Sequence, residues 1–164
     1  MKKTTLGYLE HDGRWLMMLR NKKENDQSEG KWLGVGGKFL PGEDALECFT
    51  REVREETGFA LEAAHFHGVV HFISDTWEDE DMYLYTSTEF SWTDPSSGKA
   101  CFSREQEPPL PECNEGTLHW IPKDKVLDLN LWEGDHLFLE RLLGESDFGE
   151  LTVRYEGDTL VSFG

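Results

Sequence analysis

Positive charge is scarce in this chain: 16 Lys and Arg stand against 33 Asp and Glu, a net charge of −17. A field of that sign repels polyanionic nucleic acid and anionic membrane surfaces, so neither is expected as a partner. A small anionic substrate stays open, provided a metal ion bridges it to the protein. Cysteine is also sparse. Cys48, Cys101 and Cys113 form an odd set without metal-type pairing, which excludes a disulfide framework and implies reduced thiols. No apolar run approaches the length of a membrane span. The N-terminal MKKTTLGYLEHDGRW carries two lysines but no apolar stretch of the secretory kind. A soluble, cytoplasmic protein is the expectation. Internal repeats and low-complexity segments are missing too.

What the chain does have is enough length for one core. Its 164 residues suit a single domain over 1–164, and a chain of this size buries roughly 70% of its unfolded surface. Thr4 to Glu10 and Trp15 to Arg20 read as strands around a His11-Asp12-Gly13 turn. Residues 21–30 read as a polar loop. Glu43 to Thr57 reads as a helix, with Ala45, Leu46, Phe49 and Val53 at helical spacing and Gly58 as its stop. Phe59 to Ser74 and Met82 to Phe90 form a long hairpin across an acidic turn, and His65, His67 and His71 alternate along its first arm as a strand face. Trp92 to Asn114 reads as a long surface loop. Thr117 to Ile121 is a short strand, Trp132 to Leu143 a second helix with Leu137, Phe138 and Leu142 as its buried stripe, and residues 151–155 and 159–163 a last hairpin. Two helices and a mixed sheet give a layered α/β or α+β domain.

The stretch from Gly37 to Phe59 reads GKFLPGEDALECFTREVREETGF. Glu52, Glu55 and Glu56 have helical spacings of three and four, which place like charges on one face, where they repel. They also fall near the C-terminal end of the helix, where negative charge is disfavoured. Two readings follow: a solvated charged helix with pairs such as Arg51–Glu55, or carboxylates gathered around a hard cation such as Mg²⁺. The glycines at 34, 36 and 37 allow a backbone to approach closely and offer a carbonyl.

These residues carry a resemblance. Gly37, five residues, Glu43, seven residues, then Arg51-Glu52-Val53-Arg54-Glu55-Glu56-Thr57-Gly58-Phe59 resembles the box of the Nudix hydrolase family at every defined position. The resemblance implies an α/β/α sandwich with a mixed β-sheet between helices. It implies hydrolysis of nucleoside diphosphate derivatives with Mg²⁺, or Mn²⁺ in its place. Glu52, Glu55 and Glu56 would be metal ligands with the Gly37 carbonyl in addition, and Arg51 and Glu43 would orient them. A further acid near the metals is expected before the Thr117 strand. Glu115 is the candidate and Glu112 its rival, and spacing does not choose between them.

Similarity extends beyond the box. Gly30-Lys31-Trp32 and Gly34 to Lys38 look like the lead-in of the MutT-type 8-oxo-dGTP diphosphatases within that family. Leu131-Trp132-Glu133-Gly134-Asp135 looks like the segment by which animal members hold the oxidised purine, and residues 155–160 resemble their C-terminal hairpin. Trp132 would then stack on a base and Asp135 accept from its edge. The alternative reading makes Trp132 core and Glu133 and Asp135 helix N-terminal charges. Leu33 stands where animal members have Asn, and Gly134 where they have a second Asp. Lys23 and Lys38 are candidate phosphate partners, or plain surface lysines. The resemblance implies release of a monophosphate and pyrophosphate from an oxidised purine nucleotide, a nucleotide-sanitation role ahead of DNA repair, in a monomer or homodimer. Other nucleotide diphosphates (nucleotide sugars, ADP-ribose, dinucleoside polyphosphates) and a non-catalytic nucleotide sensor are the competing functions.

Overall fold

Strand alternation on both sides of one sheet sets the architecture. A computed structural model describes residues 1–22 and 26–164. The strands are β1 (Lys2–His11), β2 (Arg14–Leu19), β3 (Trp32–Leu33), β4 (Ala60–Ser74), β5 (Glu80–Thr93), β6 (Ala100–Phe102), β7 (Thr117–Pro122), β8 (Gly149–Glu156) and β9 (Thr159–Phe163). The helices are α1 (Ala45–Thr57) and α2 (Asp135–Leu143), with a 3₁₀ turn over Lys123–Asp128. The sheet is mixed and runs β3-β2-β1-β5-β4-β8-β9, with β6 on β5 and β7 on β2. Strand β1 runs parallel to β5 from Lys2↔Glu80 to Leu9↔Ser87 and turns back antiparallel into β2 at Glu10↔Trp15.

Along β1, Leu6 and Tyr8 join one apolar cluster and Leu9 the other; along β2, Trp15 and Met17 part from Leu16 and Met18 in the same way. Successive side chains leave a strand on opposite faces, so the two clusters lie on the two faces of the sheet. Phe49 and Val53 of α1 complete one cluster, and Phe138, Leu139 and Leu142 of α2 complete the other. The helices therefore sandwich the sheet, as the resemblance implies.

Three local details differ from the sequence reading. The long loop after β5 contains β6, which pairs Ser91↔Phe102 and Trp92↔Cys101 and buries Cys101. Helix α2 begins at Asp135, because the Asp135 N–H bonds to the Trp132 carbonyl across a turn whose Gly134 N–H is held by the Tyr155 hydroxyl at 2.6 Å. Its buried stripe takes Leu139 in place of Leu137, which is only half-buried. All three cysteines are free and buried. Among the described residues no helix is long and apolar enough to cross a membrane.

Gly7 lets α1 sit directly on β1. A Cβ there would lie 2.3 Å from Phe49 Cζ and 2.8 Å from the Tyr85 carbonyl oxygen. Gly7→Ala is expected to cost roughly 1–3 kcal/mol by overpacking, read as a lower urea midpoint at unchanged slope. An unchanged midpoint contradicts this packing.

Candidate active site

Helix α1 delivers the acids because both its ends are fixed. Asp44 caps it: its carboxylate accepts from the Glu47 N–H at 2.8 Å, while Glu47 accepts from the Asp44 N–H at 3.1 Å, a reciprocal capping box. Gly58 ends it in the left-handed region at φ 78°. Between them Arg51 spreads its guanidinium under the acidic face. Its Nε and Nη2 donate to the two Glu43 oxygens at 2.7 and 3.0 Å. Nη1 donates to Glu52 at 2.8 Å and Glu55 at 3.0 Å, and Nη2 also donates to the Lys38 carbonyl at 2.9 Å. This bidentate pairing holds the Glu43 carboxyl down at about 2.

The glycine segment runs beside β1 as a short extra ladder. Gly7 N–H donates to Val35 and Val35 N–H returns to Gly7, at 2.8 and 2.9 Å. Thr5 N–H and the Cys48 thiol both donate to the Gly37 carbonyl, at 2.9 and 3.4 Å. A Cβ at Gly37 would lie 2.5 Å from the Glu52 carboxyl carbon, so only glycine admits the carboxylate here. One residue earlier, the Gly36 N–H donates to Glu56 Oε2 at 2.9 Å.

Glu56 is buried, with 7% of its surface exposed. Desolvation drives its carboxyl up to about 9; the Gly36 N–H opposes this, and a hydrogen bond with Glu115 adds to it. Two carboxyls joined by a hydrogen bond share a proton. Glu52 is also raised, by burial first, with Arg51 pulling it back. Glu115 further accepts from Arg20 Nη1 at 3.5 Å. Glu112 is exposed, so the structure brings Glu115, not its rival, to the cluster. These acids offer only oxygen donors, and burial keeps a proton on one of them. That set fits a hard divalent cation, which would replace the proton. Glu55 stands at the rim, with 59% of its side chain exposed.

Glu52 and Glu115 line a cleft of about 360 Å³. Leu33, Trp132 and Asp135 line the same cleft, with Phe72 and Met82 among its apolar residues. The Trp132 indole is fixed by an N–H bond to Ser28 Oγ at 3.0 Å and by edge contacts with Phe72 and Tyr155, and Lys31 Nζ lies 5.0 Å above its ring. Asp135 opens α2, and burial pushes its carboxyl up to about 8, helped by the charge of Glu80. Lys38 is exposed at the cleft edge. Lys23 lies outside the described residues. Sequence reasoning missed Lys2, Thr4 and Glu80, which also line the cleft; the Thr4 hydroxyl donates to Glu80 at 2.6 Å. The Lys2-Thr4-Leu6 alternation marks one face of β1. Its parallel register with β5, which sets Glu80 opposite, carries no local signal.

Fold and site define an α+β domain with a carboxylate cluster, suited to a hard cation, opening onto a cleft of mixed polar and apolar lining. The chain belongs to the NUDIX domain family, which matches residues 5–142, and is a hydrolase of that family. It is 27% identical over 149 residues to the oxidized purine nucleoside triphosphate hydrolase of Danio rerio, covering 90% of this chain and 83% of that protein. Identity to the Mus musculus protein of the same name is 24% over 147 residues, covering 89% and 84%. The crystal structure of a MutT protein from Bacillus halodurans matches with a TM-score of 0.77 at 24% identity, covering 100% of this chain and 97% of that one.

The Glu56 carboxyl titrates near 4.5 when unfolded and about 9 when folded, so the folded protein holds the extra proton between those values. Stability of metal-free protein must then fall as pH rises through that window. Glu56→Gln removes the titration. It is expected to flatten this slope and to exceed the wild type in stability at neutral pH, by thermal unfolding in chelator. Parallel slopes for the two proteins contradict the assignment.

Proposed function

We propose that this chain is a Mg²⁺-dependent nucleoside triphosphate diphosphatase. It releases a monophosphate and pyrophosphate from an oxidised purine nucleotide of the 8-oxo-dGTP class, as cytoplasmic nucleotide sanitation. One observation carries this reading: Glu52 and Glu115 of the acid cluster line the same cleft as Leu33, Trp132 and Asp135. The names of the Danio rerio and Mus musculus relatives support the substrate class.

Glu52, Glu55, Glu56 and Glu115 would hold the cation, with a backbone carbonyl of the glycine segment in addition. Mn²⁺ offers the same preference for oxygen. When bound, such an ion neutralises phosphate charge and lowers the pKa of a water. Arg51 and Glu43 keep Glu52 aimed at the cleft. Lys38, and Lys23 by sequence, are candidate partners of the phosphate tail, alongside Lys2 and Arg20 of the cleft lining. Placing the diphosphate and matching its charge is most of what phosphoryl chemistry asks of a protein.

In the same cleft, Trp132 presents a fixed indole and Asp135 a carboxyl that burial pushes up to about 8. A protonated carboxyl donates to one atom of a base edge and accepts from the next, so it can pair with adjacent carbonyl and N–H groups of an oxopurine. Leu33 adds only apolar contact. Gly134 has no room for a side chain, since a Cβ would lie 2.7 Å from the Tyr155 hydroxyl. Asp135 therefore carries the polar reading of the base from this segment.

Pyrophosphate release with Mg²⁺ over a nucleotide panel is expected to favour oxidised over normal purine triphosphates. Equal turnover of the two, or better turnover of ADP-ribose, nucleotide sugars or dinucleoside polyphosphates, contradicts the substrate assignment. Asp135→Ala is expected to lower kcat/KM for the oxidised purine by about 10- to 100-fold, the loss of one hydrogen-bonded base contact. Glu56→Gln is expected to lower kcat by about 100-fold or more with the fold intact.

A further inference from the structure

We propose that His65, His67 and Asp147 form a second metal site, for a borderline cation of the Zn²⁺ type, apart from the carboxylate cluster. His65 and His67 lie two residues apart on β4, so both rings leave the same face of the strand. Their centroids are 4.5 Å apart. Asp147 comes from the turn between α2 and β8. Backbone places it there: the Phe148 N–H donates to the His67 carbonyl at 3.0 Å, and β8 pairs with β4 from Gly68↔Gly149 onward.

The ligand atoms already converge. Asp147 Oδ1 lies 2.7 Å from His65 Nε2 and 3.2 Å from His67 Nδ1, and all three groups offer an atom within 4.8 Å of the others. A tetrahedral ion bound at about 2.0–2.1 Å separates its ligands by about 3.3 Å, inside that spread. The far nitrogen of His67, Nε2, lies 2.7 Å from the Thr86 hydroxyl. His67 Nδ1 also lies 3.3 Å from the Ser146 carbonyl, which can only accept, so an ion at Nδ1 would displace that Nδ1–H; the Thr86 hydroxyl can then accept an Nε2–H in its place, the usual rear support of a ligating imidazole. His67 is buried, while His65 and Asp147 are 60% and 59% exposed, so the group has one fixed ligand, two adjustable ones and an open approach from solvent.

Its chemistry differs from that of the hydrolytic site. Two imidazoles and one carboxylate favour Zn²⁺, Ni²⁺ or Cu²⁺, whereas an all-oxygen cluster favours Mg²⁺ or Mn²⁺. The cavity beside the two histidines has a volume of about 250 Å³ and shares no lining residue with the nucleotide cleft. A cation here would tie the turn after α2 to β4, and so brace the helix that begins with Asp135.

The test titrates chelator-stripped full-length protein with Zn²⁺ in excess Mg²⁺, read by calorimetry and by thermal unfolding. His65→Ala, Asp147→Asn and Glu56→Gln are run beside the wild type. One Zn²⁺ per chain and a raised Tm are expected for the wild type and Glu56→Gln. His65→Ala and Asp147→Asn should weaken Zn²⁺ binding by about tenfold or more and lose the rise in Tm, with Mg²⁺-dependent hydrolysis unchanged. Co²⁺ should give tetrahedral visible absorption in the wild type that is lost from the same two variants. The proposal is overturned if the wild type binds no Zn²⁺, if both variants bind it as the wild type does, or if only Glu56→Gln loses it.

Discussion

The candidate site rests on one guanidinium. Arg51 reaches both oxygens of Glu43, one oxygen each of Glu52 and Glu55, and the Lys38 carbonyl. Remove it and the Glu43, Glu52 and Glu55 carboxylates are left against one another, and for Glu52 and Glu55, toward the C-terminal end of α1, the backbone dipole adds to the repulsion. Lysine could supply the charge but not the planar fork that meets several acceptors at once. Glu56 is stabilised differently. It lies in the protein interior against Gly36 and Glu115, and there a proton does what Arg51 does for the others. The cluster thus has a cation on its outer side and a replaceable proton on its inner side.

The rest of the fold arranges partners for those two devices. Gly7 lets α1 settle onto β1. The ladder from Val35 to Phe39 then holds the Gly36 N–H over Glu56 and the Gly37 backbone against Glu52. The segment before β7 brings in Glu115, which Arg20 from the region after β2 also contacts. Helix α2 brings Asp135 to the cleft, where burial raises its carboxyl as it does that of Glu56. Asp135 in the cleft lining and Glu56 beside Glu115 therefore both titrate well above the ordinary carboxylate range.

Much of this was legible in the sequence. Glu52, Glu55, Glu56 and Arg51 share a helix, so helical spacing alone gives their common face, and the β1–β2 and β4–β5 hairpins follow from alternation across polar turns. The choice of Glu115 over Glu112 was not legible, because it depends on how the chain before β7 packs against α1. Glu80 and Thr4 were missed for a similar reason: they meet through a parallel pairing of strands some 76 positions apart. Trp132 and Leu137 show the limit of periodicity. Both fit a helix pattern, yet Tyr155 holds Gly134 and delays the helix until Asp135. His65 and His67 looked like an ordinary strand face until the turn carrying Asp147 closed over them.

In metal-free protein the acid cluster keeps a proton on the Glu56–Glu115 pair in place of a cation. Calorimetric titration of metal-free protein with Mg²⁺, repeated in buffers of different ionisation enthalpy, counts the protons released on binding. Release of about one proton per chain at neutral pH, absent from Glu56→Gln, is the expected result. Mg²⁺ binding whose heat is independent of the buffer would contradict it.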